Sequence, residues 1–88
     1  MGNFIGGSAY TMSRDIAEGS ILLSPNTLRK FIPAELKQLG FELDRVQKEI
    51  RADQPPLDDI QAIQKRGRKL GRVTHALNLI NSALARKP

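Results

Sequence analysis

Two segments of this chain carry apolar stripes of the same period, and the stripes match when one is read in reverse against the other. Ile32, Leu36, Leu39, Leu43, Val46 and Ile50 recur at alternating steps of four and three. Ile63, Leu70, Val73, Leu77, Ile80 and Leu84 do nearly the same. Such steps line one face of an α-helix. Between the stripes lies Asp53-Gln54-Pro55-Pro56, and successive prolines disfavour helix before them and suit a tight connection. The expected fold is all-α: an antiparallel helical hairpin with helices at about 33–52 and 57–85 and a turn at 53–56. In that register Ile50 meets Ile63, Leu43 meets Leu70, Leu36 meets Leu77 and Ile32 meets Ile80.

The helix ends carry recognisable signals. Ser24-Pro25 is a good start, with Ser24 as N-cap and Pro25 at the first helical position. Two arrangements fit Pro33: a short extra helix at 25–31 followed by a new helix at Pro33, or one helix kinked there. Asp58 and Asp59 are placed in the first turn of the second long helix, where negative charge complements the dipole, and Arg86 and Lys87 at its opposite end. Residues 1–23 hold Gly2, Gly6, Gly7 and Gly19 among several Ser and Asn residues, and read as a flexible arm. One transient turn is expected there, capped by Ser13 and stopped by Gly19. Ile21, Leu22 and Leu23 are apolar enough to fold back onto the hairpin. The hairpin domain proper is then 24–88.

Size and composition narrow the functional classes. A hairpin within 88 residues buries only a modest core, and Leu57, Leu79, Phe31 and Phe41 lie off the main stripe. Either the N-terminal arm covers them or a second copy does; two hairpins face to face would make a four-helix bundle, and a homodimer is the favoured expectation. Zero cysteines exclude disulfides and thiolate metal sites, and a lone His75 is poor material for a metal centre. No cofactor or metal is expected. The same lack of cysteine fits a reducing, cytoplasmic setting. No apolar run reaches the roughly 20 residues needed to span a bilayer, so no membrane partner is expected. Met1-Gly2 opens like an acylation site, but Gly6 stands where Ser or Thr is required. No catalytic constellation is present: Ser residues occur in no nucleophile-elbow context, and neither Gly6-Gly7 nor Gly67-x-x-x-Gly71 matches a phosphate loop.

Fourteen Lys and Arg oppose nine Asp and Glu, a formal charge of +5. The charge is concentrated in Lys65-Arg66-Gly67-Arg68-Lys69-Leu70-Gly71-Arg72, where five of eight residues are basic. On a helix Lys65, Arg68, Lys69 and Arg72 project within an arc of about 100°. Such a stripe suits a phosphate backbone, and Lys30, Lys37, Arg45, Lys48 and Arg51 extend the positive surface. With one Tyr, three Phe and no Trp, the chain is poorly equipped to stack single-stranded bases. An ordinary solvated face is the plain alternative.

Three further features need a reason. Arg66 breaks the seam where Val73 and Ile80 stand one and two heptads later, so it must be paired, with Glu49 or Glu42 within reach, or extend to water. Glu35, Glu42 and Glu49 share one flank of the first helix, as on the edge of a coiled coil. Gly67 and Gly71 stack on a third face of the second helix, each costing roughly 1 kcal/mol relative to Ala. They permit close approach of another helix or a phosphate backbone, or they mark a bend between 66 and 72. Phe41, Leu79, Gly67 and Gly71 are the candidate interface residues. The leading expectation is a non-enzymatic module binding DNA or RNA through the second helix. In outline the hairpin resembles the small helical-hairpin regulators of plasmid RNA. The alternative is an adaptor or small chaperone burying a partner's amphipathic helix, an outline that resembles the helical-hairpin secretion chaperones.

Overall fold

A computed structural model of the chain describes residues 7–86. These residues form helices and turns and no strand. The helices are α1 (Ala9–Glu18), α2 (Pro25–Leu28), α3 (Pro33–Ala52) and α4 (Ile60–Arg86). The acylation-like opening at Met1 to Gly6, and the expectations for Lys87 and Pro88, lie outside the described residues. No helix among the described residues is long and apolar enough to cross a membrane.

Pro33 begins α3, and α2 is separate from it. Proline at the first helical position has no donor to lose. Glu35, three residues after the N-cap, accepts a hydrogen bond from the Ile32 backbone N–H at 3.0 Å and places its charge at the positive end of the dipole. α4 begins three residues later than the expected 57. Asp58 and Asp59 precede its first turn, and Asp59 caps it, its carboxylate accepting from the Ala62 N–H at 3.1 Å.

α3 and α4 pack antiparallel, but not in the expected register. A Cβ on Gly40 would lie 3.6 Å from Ile80, where the expected register set residue 73. Gln47 donates to the Thr74 hydroxyl at 3.0 Å, and Arg66 reaches the carbonyls of Ile50 and Arg51. All three place α4 about one to two turns further along than the stripes alone suggested. The first turns of α4 therefore run past the end of α3, leaving Ile60 and Ile63 exposed and Leu57 94% exposed. At the other end Ile32, expected in the seam, is 59% exposed as the α3 N-cap, and Phe31, expected off it, is buried. Leu36, Leu39, Leu43, Val46, Val73, Ala76 and Ile80 form the buried seam.

The larger departure is at the N-terminus. Where one turn in a flexible arm was expected, residues 9–18 form a ten-residue helix packed on both α3 and α4. Its cap is Ser8, not Ser13: the Ser8 hydroxyl accepts from the Thr11 N–H at 3.1 Å. Ser13 lies in the core and donates to the Ala9 carbonyl at 2.8 Å. Ala9, Met12, Ser13, Ile16 and Ala17, spaced at i, i+3, i+4, i+7 and i+8, are all buried. Gly19 ends the helix with φ +86°, a left-handed conformation that glycine adopts without steric cost. Leu23 and Leu28 then join the same core, with Ile21 packed against it.

Candidate nucleic-acid interface

α4 is one uninterrupted helix from Ile60 to Arg86. Lys65, Arg68, Lys69 and Arg72 therefore occupy successive turns of one continuous helix, and all four line one crevice of about 290 Å3. Glu18, from the last turn of α1, is the single acid in that lining. The four residues that the sequence singles out are thus brought together, beside a helix that the sequence reading did not foresee.

The four cations are not equivalent. Lys69 Nζ lies 3.0 Å from Glu18 Oε1. Arg72 Nη1 donates to the Ala17 carbonyl at 2.9 Å. That carbonyl is one of the unsatisfied acceptors at the end of α1, where a cation also meets the negative end of the helix dipole. A Cβ on Gly19 would sit 3.0 Å from Arg72 Cζ, so the guanidinium lies against bare backbone. Arg72 and Lys69 thus hold α1 in place. Lys65 and Arg68 are exposed and form no ion pair among the described residues.

A second crevice of about 280 Å3 continues the surface past Lys65 and Lys69 toward Arg14, Arg66, Glu49 and Asp53, above Val46 and Ile50. Across both crevices Arg14, Lys65, Arg66, Arg68, Lys69 and Arg72 face Glu18, Glu49 and Asp53. Six cations against three carboxylates leave +3 on this one flank, more than half of the chain's formal charge.

The seam pair of Arg66 and Glu49 is not formed. Arg66 Nε donates to the Ile50 carbonyl at 3.2 Å and Arg66 Nη2 to the Arg51 carbonyl at 3.0 Å, so its guanidinium caps the C-terminal end of α3. Glu49 turns to α1, lying 3.5 Å from Arg14 Nη1 and accepting from the Tyr10 hydroxyl at 3.2 Å. Glu42 pairs with Arg45 at 3.4 Å, and the Arg45 guanidinium stands 5.1 Å over the Tyr10 ring. Lys48 pairs with Asp44 at 3.1 Å. Of the five residues expected to extend the positive surface, Arg45 and Lys48 are therefore neutralised locally.

Gly67 and Gly71 do not interrupt the helix and do not admit a neighbour from this chain: a Cβ at either meets nothing within 4 Å. Phe41 is 67% exposed on α3. Leu79 is half-buried against the core, in a crevice with α2. The site residues missed from sequence are Tyr10, Arg14 and Glu18, all on α1. The i, i+3, i+4 run from Ala9 to Ala17 was the signal that could have found them. No group of three or more His, Asp or Glu residues that could hold a metal occurs among the described residues. Comparison with known protein families, curated proteins and solved structures finds no match to this chain.

Proposed function

We propose that this chain is a small non-enzymatic helical module of the cytoplasm that binds DNA or RNA through the basic flank of α4. The observation that carries the reading is the convergence of Lys65, Arg68, Lys69 and Arg72 on one crevice with a single opposing carboxylate. Fixed cations on a rigid helix recognise phosphate by charge and release its counterions on binding. Lys65 and Arg68 make the primary phosphate contacts, because Lys69 and Arg72 are committed to α1. The module acts as a homodimer, which doubles the basic surface. A second copy packs on the face of α4 that carries Gly67 and Gly71, which is open and leaves the basic flank free for phosphate.

The test is fluorescence anisotropy with duplex DNA and with RNA across a salt series, joined to light scattering for oligomeric state. Affinity should fall steeply with salt, with a log–log slope of about −0.9 per phosphate neutralised on duplex DNA. Lys65→Glu combined with Arg68→Glu should abolish binding and leave the helical content intact, because neither side chain supports the fold. Binding that survives this pair of changes, or that ignores salt, refutes the proposal. Phe41 favours a second reading, an adaptor that takes up a partner's amphipathic helix. On that reading Phe41→Asp removes association and leaves nucleic-acid affinity unchanged.

A further inference from the structure

We propose that the crevice between α2 and the last two turns of α4 binds a free single-tailed carboxylic acid of medium chain length. The crevice measures about 380 Å3, within the roughly 300–1,000 Å3 of small-ligand pockets. Pro25, Leu28, Arg29, Leu79, Ala83 and Arg86 line it. Leu28 is buried, and Leu79 and Ala83 are half-buried and packed against the core, so the floor is apolar and supported from beneath.

Both charged residues of the lining are arginines, Arg29 following α2 and Arg86 in the last turn of α4, and no Asp or Glu among the described residues joins them. Neither arginine forms an ion pair among the described residues. This differs from the basic crevice of α4, where Glu18 pairs with Lys69. A guanidinium offers a planar fork that matches a carboxylate with two parallel hydrogen bonds. An apolar floor edged by two such forks is complementary to a molecule with an alkyl tail and one acidic head.

The dimensions select a small molecule over a partner helix. Leu79 to Arg86 spans only about 10 Å of helix axis, and the opposite wall is a helix of four residues. Helix-in-groove docking needs anchors over several turns. The site shares no residue with the 65–72 stripe, so it stands or falls independently of nucleic-acid binding.

The experiment titrates the full chain with sodium hexanoate, octanoate and decanoate below their micellar concentrations and follows amide NMR shifts. Saturable shifts should concentrate in residues 25–29 and 79–86. Affinity should rise about two- to fourfold per added methylene until the crevice is filled. Decanol, with the same tail and no charge, should bind at least about tenfold more weakly. Arg29→Gln and Arg86→Gln should each weaken decanoate about fivefold or more with unchanged unfolding midpoints. Ala83→Phe should block the crevice and abolish saturation. Equal binding of decanol and decanoate, shifts spread along the chain without saturation, or undiminished affinity in both glutamine variants would overturn the assignment. So would a crevice that ignores decanoate and takes an acidic peptide, which would assign it to a protein partner.

Discussion

Met12→Ala tests whether α1 is part of the folded core. Met12 is fully buried, on a helix that packs against both α3 and α4. Truncating a buried Met to Ala typically costs about 2–5 kcal/mol in lost transfer energy and residual cavity. Alanine returns a few tenths of that through its higher helix propensity. A net loss of about 2–4 kcal/mol remains, a large share of the roughly 4–13 kcal/mol expected for a domain of this size. For 60–100 residues each kcal/mol moves the midpoint by about 4–8 °C, so the transition should fall by on the order of 10–30 °C. The internal control is Leu22→Ala, at a position 87% exposed, which should change stability by less than about 0.5 kcal/mol. Both substitutions lie in the same glycine-rich segment, so composition does not distinguish them and packing does. Urea denaturation followed by circular dichroism measures both. Hydrogen exchange then separates global destabilisation from release of α1 alone, which would lower protection in residues 9–18 and spare α3. A Met12→Ala variant as stable as Leu22→Ala, with α1 amides unprotected in both, would refute the docked helix and with it the account of Arg72 and Lys69.

Other consequences follow from the same geometry. Arg66→Met should cost about 1–2 kcal/mol, read by urea unfolding, because two carbonyls at the end of α3 lose their donor; Glu49→Gln, which removes only exposed partners, should stay within about 0.5 kcal/mol. Gly67→Ala and Gly71→Ala should each raise monomer stability by about 0.5–1 kcal/mol, since each added methyl enters open space in a continuous helix. If a second copy packs on that face, the same two changes weaken dimerisation by light scattering. Glu18→Gln should tighten nucleic-acid binding roughly three- to fivefold at low salt, one unit charge about 4 Å from another in water being worth ~1 kcal/mol. The gain should vanish as salt is raised, and an unchanged anisotropy titration would show that the crevice does not meet phosphate.

The helical class was legible because its signal is local. Apolar residues at steps of three and four, a Pro55-Pro56 break, and Pro33 followed by Glu35 each act through the backbone of neighbouring residues. The arc of Lys65, Arg68, Lys69 and Arg72 was legible for the same reason: helical periodicity alone puts them side by side. α1 was not, because its buried face is built from Ala9, Met12, Ser13, Ile16 and Ala17, mostly small or flexible residues between glycines. Their helical spacing is present in the sequence, but the groove between α3 and α4 that gives it a place to pack is not.

Register and charge partners belong to the tertiary structure. A stripe of Leu, Ile and Val maps nearly onto itself when one helix slides by seven residues, so apolar burial by itself scarcely distinguishes neighbouring registers. Features off the stripe decide between them: Gly40 leaves room for Ile80, Phe31 takes the buried place that Ile32 gives up, and Arg66 finds the carbonyls of Ile50 and Arg51. The same holds for the basic run. Sequence determined that four cations share one side of α4; only the docking of α1, through Glu18 and the Ala17 carbonyl, decided that Lys69 and Arg72 bind inward while Lys65 and Arg68 remain available to an outside anion. An ion pair depends on distances across the fold, and the local chain does not contain them.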